Sequence, residues 1–152
     1  MVRCKSTSRL SSIILTQTDT TVGFLSLDAD ALYEIKERST KKQFIKVYTN
    51  FKALLSTCRV PNNQKNIIRR AKKTTFIVKN NAFRIAENRL NSQVLRNSTC
   101  RYSTSANKSN EKFSREFCED KADIIIENID GLKENSSSKL IKLNNKKRKR
   151  LR

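Results

Sequence analysis

Short runs of β-branched and apolar residues alternate along this chain with capped segments that carry one apolar face. That alternation constrains the fold more than any other feature, because it demands helices layered on a sheet. Residues 12–16 (Ser-Ile-Ile-Leu-Thr) read as a buried strand and 44–48 (Phe-Ile-Lys-Val-Tyr) as a second. Residues 75–78 and 82–85 read as a pair of strands around the turn residues Asn80 and Asn81. Further strands are expected over 100–103 and 138–143, and 123–129 is the clearest buried run. Between them, Asp28 caps a helix that ends by about Lys36 and turns Leu32 and Ile35 inward. Asn50 caps a short helix carrying Phe51, Leu54 and Leu55, and Pro61 precedes a basic helix around 63–72. Helices are also expected at 87–96 and 111–120, while Gly23 reads as a turn after the first strand.

A chain of 152 residues suits one domain, here 12–152, with 1–11 as an N-terminal extension. Residues 146–152, "KKRKRLR", form a basic tail, and Arg69, Arg70, Lys72 and Lys73 form a second cationic cluster. Lys and Arg number 33 against 14 Asp and Glu, a formal charge of +19, and such a field attracts nucleic acids, nucleotide phosphates or acidic surfaces. The absence of histidine removes a histidine general base, and no metal site is expected. Cys4, Cys58, Cys100 and Cys118 lack the close spacing of a zinc or redox motif and read as small core residues of a reduced protein. No apolar run is long enough for a signal peptide or a membrane span, so the expectation is a soluble, cytoplasmic protein without membrane partners.

Three motifs then occur in order: "TDTTVGF" from Thr18, "KER" at Lys36-Glu37-Arg38, and "STSAN" from Ser103 to Asn107. Together they resemble the YrdC-like family, the threonylcarbamoyl-AMP synthases of tRNA modification. That family shows Pro-Thr-Asp-Thr-x-Tyr-Gly-Leu, then Lys-x-Arg, then Ser-x-Asn. Thr18, Asp19, Thr20 and Gly23 match the first motif, Lys36 and Arg38 the second, and Ser105 and Asn107 the third. Lys42, Thr75, Arg84, Ser138 and Arg152 fall at further family positions. The departures are Gln17 and Val22 for proline and tyrosine, Glu37, Ser39 and Gln43 around Lys-x-Arg, Ala71-Lys72-Lys73 for Pro-Gly-Pro, and Ala86 for a proline.

The resemblance implies an α/β fold, a single-domain YrdC-like twisted mixed sheet with helices packed on it. It also implies a reaction of L-threonine, bicarbonate and ATP, with Mg²⁺ accompanying the ATP, that yields threonylcarbamoyl-AMP and pyrophosphate for a downstream tRNA-modifying transferase. Such a transfer rests on alignment and charge neutralisation more than on proton abstraction, so a histidine-free protein can perform it. By the same resemblance Lys36, Arg38, Ser105 and Asn107 are catalytic. Thr18, Thr20, Arg84 and Ser138 hold threonine, and Lys36, Arg38, Lys42, Thr75, Ser105, Asn107 and Arg152 hold the nucleotide. Asp19 is a candidate to organise a nearby lysine or Mg²⁺, but reads first as a structural brace of its turn through backbone amides. A second reading keeps the fold without the catalysis, as a tRNA-, double-stranded-RNA- or ribosome-binding protein. Phe76 and Phe83 read as core in either case.

Overall fold

The computed structural model describes residues 1–4, 12–86, 94–95, 98–109 and 111–152. Its framework is one sheet of ten strands: β1 (Val2–Cys4), β2 (Ile14–Gln17), β3 (Val22–Ser26), β4 (Ile45–Tyr48), β5 (Thr74–Val78), β6 (Asn81–Ile85), β7 (Cys100–Ser105), β8 (Ile124–Ile126), β9 (Lys139–Leu143) and β10 (Arg148–Arg150). Their spatial order is β1-β8-β2-β3-β7-β4-β6-β5-β9-β10. The pairs β2–β8, β4–β6 and β5–β9 run parallel and the others antiparallel, so the sheet is mixed. Among the described residues, helices α1 (Ala29–Lys36), α2 (Phe51–Thr57), α3 (Lys65–Arg70) and α4 (Arg115–Lys121) accompany it, with a short 3-10 turn at Asn62–Gln64.

The caps form where the sequence places them. Asp28 Oδ1 accepts from the Asp30 N–H at 2.9 Å and Asn50 Oδ1 from the Ala53 N–H at 2.8 Å, each satisfying a donor that the first helical turn leaves orphaned. On one face of the sheet Leu15 and Phe24 pack with Leu32 and Ile35 of α1 and Cys118 of α4. Farther along that face Tyr48, Phe76 and Phe83 pack with Leu54 of α2 and Ile68 of α3. Phe76 and Phe83 are core, as expected. The opposite face holds a smaller cluster, Ile14, Leu25 and Val47 with Ala86 and Leu95.

Several expectations are corrected. Gly23 is no turn: it lies inside β3, a strand of five buried residues that the sequence reading overlooked. The turn is made earlier, where Thr18 Oγ1 donates to the Thr21 carbonyl at 2.6 Å and the Thr18 N–H reaches the same oxygen. Glycine is required at position 23 by close approach, since a Cβ there would sit 2.9 Å from the Thr104 carbonyl oxygen and 3.1 Å from Thr18 Cγ2. The N-terminal extension supplies β1, which pairs with β8, and the basic tail supplies β10, which pairs with β9. Both belong to the sheet. Cys58 and Cys118 are buried but Cys4 is exposed and Cys100 half-buried, so only two cysteines behave as core. The strand expected over 123–129 contracts to Ile124–Ile126, and Ile129 is fully exposed. Leu55 turns outward while Leu54 is buried. The helix expected at 87–96 falls largely outside the described residues.

Gly23→Ala pushes a methyl group into a backbone carbonyl that the sheet cannot readily move. We expect a loss of about 1–3 kcal/mol, read as a lower urea midpoint with an unchanged m-value.

Candidate active site

Strand register carries most of the motif residues onto one face. Thr16 of β2 lies opposite Gly23 of β3, and Gly23 opposite Ser105 of β7. Val47 of β4 lies between Arg101 of β7 and Arg84 of β6. Phe76 faces Phe83 across β5–β6, which sets Thr75 beside Arg84 on that same side by the two-residue alternation of a strand. The helices pack on the other face, and the two sides communicate at the end of β7.

The first cluster sits at that end. Lys36 closes α1, and the chain leaves the helix through Glu37 in a left-handed conformation (φ 47°, ψ 42°). The helix therefore stops where the Lys-x-Arg spacing predicts. The Lys36 side chain is only 3 % exposed. Its ammonium donates to the Ser105 carbonyl at 3.1 Å and to Asn107 Oδ1 at 2.6 Å, and also to the Asn107 carbonyl. Ser105 Oγ donates to the same Asn107 Oδ1 at 2.7 Å. Burial, followed by the Arg38 and Lys42 cations, pulls the Lys36 pKa down to about 8. Arg38 lays its guanidinium 4.0 Å over the Phe44 ring and donates to the Lys42 carbonyl at 3.0 Å. Its Nε is buried without a partner among the described residues, and burial lowers its pKa.

The second cluster is built on the Thr18–Thr21 turn and β6. Arg84 Nη1 donates to Asp19 Oδ1 at 2.9 Å and to Thr20 Oγ1 at 2.6 Å, and Thr20 Oγ1 lies 3.3 Å from Thr18 Oγ1. Both charged side chains are nearly inaccessible, at 7 % and 5 % exposure. The expectation for Asp19 is thus corrected: it takes the Arg84 guanidinium, and Thr18 does the bracing of the turn. Asp19 Oδ2 and Arg84 Nε remain without a partner among the described residues. The third cluster joins Thr75 Oγ1 to Ser138 Oγ at 2.8 Å, both buried, while Arg152 Nε donates to the Ser138 carbonyl at 3.2 Å.

The structure thus brings Lys36, Arg38, Lys42, Ser105 and Asn107 together at the end of β7, where α1 meets it; Thr18, Thr20 and Arg84 together, and Thr75, Ser138 and Arg152 together, stand on the face opposite α1. Sequence reasoning missed Thr16 and Arg101. Thr16 Oγ1 and Arg101 Nε are buried on this face without partners among the described residues, and burial lowers the Arg101 pKa. The signal was available in β7, where Arg101, Ser103 and Ser105 alternate with Tyr102 and Thr104. Among the described residues no three acidic, cysteine or histidine side chains converge on a common metal position, and Asp19 is committed to Arg84.

Removing one partner of a buried pair strands the other. Arg84→Met is expected to cost about 3–5 kcal/mol in chemical denaturation, and the double variant Asp19→Asn/Arg84→Met to recover a large part of it. For Lys36, the unfolded chain keeps its proton up to about 10.5 while the folded chain releases it near 8. The unfolded state binds the extra proton between those values, so stability rises with pH there. Urea midpoints of the wild type are expected to climb relative to Lys36→Met from pH 8 to 10.5, and to run parallel below pH 8.

No family model and no curated relative matches the chain. Solved structures do. P. abyssi Sua5 complexed with L-threonine superposes with a TM-score of 0.77 at 19% identity, covering 93% of this chain and 50% of that one. E. coli YciO gives 0.75 at 14% identity, over 93% and 82% of the two chains. Full-length HypF in a phosphate- and nucleotide-bound form gives 0.74 at 15% identity, over 93% of this chain and 22% of that one. This chain therefore spans half the length of the Sua5 structure and about a fifth of HypF. No helix among the described residues is long and apolar enough to cross a membrane. With strand order, helix placement and superposition in agreement, the chain has the YrdC-like fold.

Proposed function

We propose that this chain is an L-threonylcarbamoyladenylate synthase, forming threonylcarbamoyl-AMP and pyrophosphate from L-threonine, bicarbonate and ATP in the cytoplasm, for transfer to tRNA by a downstream modifying enzyme. One observation carries the reading. Lys36 is held by neutral oxygens of Ser105 and Asn107 with Arg38 alongside, so a fixed positive charge stands beside hydroxyl and amide groups at the end of a strand. In the reaction, the threonine amine and bicarbonate condense to a carbamate with loss of water, the carbamate oxygen attacks the α-phosphorus, and pyrophosphate leaves with the bridging electron pair. Arg38 would donate to the phosphoryl oxygens as charge moves onto the leaving group, and Lys36, whose three donors are taken by Ser105 and Asn107, would act through its fixed charge. Ser105 and Asn107 would hold the Lys36 ammonium and align the phosphates, with Lys42, Thr75 and Arg152 completing the nucleotide contacts. Mg²⁺, carried in on ATP, supplies further neutralisation of the phosphate charge.

Thr18, Thr20, Arg84 and Ser138 would orient threonine. Arg84 already spends one nitrogen on Asp19 and Thr20, so its remaining donors, including the unpartnered Nε, are the ones left for a carboxylate. The L-threonine in the Sua5 structure supports threonine as the amino-acid ligand. The charge of +19 favours the second reading, a non-catalytic tRNA- or double-stranded-RNA-binding protein.

Pyrophosphate release from the purified protein decides between them. With ATP, Mg²⁺, bicarbonate and L-threonine it is expected to proceed, to stop when any one is omitted, and to fall by about 10²–10³ in Lys36→Met and Ser105→Ala. A folded protein that binds ATP but releases no pyrophosphate would instead establish the binding module.

A further inference from the structure

At the opposite ends of β5 and β9 from Thr75 and Ser138, the chain forms a second concavity. It is a groove of about 1290 Å³ between the end of α2, the segment leading into α3, and the β9–β10 turn. We propose that this groove docks an acidic, partly apolar peptide segment of a protein partner. The inference does not depend on the synthase reading.

Size is the first argument. The volume exceeds the roughly 300–1,000 Å³ of small-molecule sites, which leaves room for a peptide segment. Chemistry is the second. Leu55, 40 % accessible, and half-buried Pro61 give the groove its accessible apolar surface, above the core side chains of Val60, Val78 and Leu143. Around them stand Arg59, Lys65, Lys79 and Lys146, and no lining residue is acidic. None of these four cations makes an ion pair among the described residues. Their charge is therefore unbalanced by the protein itself and is complementary to carboxylates.

Preorganisation is the third argument. Asn63 Nδ2 donates to the Asn145 carbonyl at 2.8 Å and Gln64 Nε2 to the Asn144 carbonyl at 3.4 Å, so the β9–β10 turn is tied to the wall facing it. Asn144 Oδ1 accepts from the Lys146 and Lys147 N–H groups at 2.8 and 2.6 Å, which fixes the turn itself. A wall fixed beforehand lowers the ordering cost of binding. Nucleic acid is the obvious competitor for a basic groove, but no aromatic residue lines this one, so it lacks the stacking platforms that hold single strands. An apolar floor under a cationic rim suits alternating carboxylate and aliphatic side chains better than bases.

The test uses the full chain and a fluorescent synthetic peptide of alternating glutamate and leucine, read by anisotropy. The groove variant Lys79→Glu/Lys146→Glu is expected to weaken binding by about tenfold or more. The charge-matched control Lys133→Glu/Lys139→Glu, outside the groove, is expected to leave it within about twofold. Leu55→Asp, and serine in place of the peptide leucines, are each expected to weaken binding as well, while the circular dichroism of the groove variants stays that of the wild type. Equal losses in groove and control variants would mean that net charge alone attracts the peptide, and would overturn the proposal. So would no binding by a folded protein, or tighter binding of oligouridylate RNA that is lost in the groove variant alone.

Discussion

A buried ammonium at the end of α1 organises this molecule. Taking a lysine out of water is costly unless every donor finds an acceptor, and Lys36 finds its acceptors on Ser105 and Asn107, at the end of a strand in the middle of the sheet. The acceptors are carbonyl and amide oxygens, so they fix the cation in place without cancelling it. The same contacts tie the last turn of α1 to the end of β7, where the helix-covered face meets the polar one. The helix must end at that residue for the reach to work, and Glu37 ends it by adopting a left-handed backbone.

Arg84 follows the opposite rule. Its charge is balanced by Asp19 and its geometry pinned by Thr20, so a neutralised guanidinium stands apart from an unneutralised ammonium. Such a division suits a surface that must hold one ligand by shape and hydrogen bonds and another by charge. Thr16, Asp19, Arg84 and Arg101 each leave a buried polar atom unsatisfied within the described residues. Unsatisfied buried groups cost stability; four of the five such groups among the described residues lie on the face opposite α1 or its adjoining turn, and the fifth, Arg38 Nε, lies beside Phe44 at the α1 end.

Much of this was legible in the sequence because the determinants were local. Asp28 and Asn50 announce their helices through capping chemistry, and the Ile124–Ile126 strand through branched side chains. What was not legible depends on neighbours distant in the chain. Gly23 looks like a turn until Thr104 and Thr18 are seen pressing on it. Asp19 looks like a turn brace until Arg84 arrives from 65 positions away. The edge strand β10 carries no apolar residue because an edge needs only one partner and gains from charge, so Arg148–Arg150 reads as a tail while pairing as a strand. For the candidate site, the motif order identified the residues, but only the strand register places most of them on a common face.

The β10 edge has a consequence for how these molecules meet one another. A terminal strand presents unpaired backbone groups to any other strand, yet here each of its three residues is a cation. Two copies joining their sheets through this edge would stack like charges at the spacing of a β-ladder, about 5 Å apart. Growth of a continuous intermolecular sheet is therefore opposed by electrostatic repulsion along its seam, and only a polyanion lying along that seam would relieve it.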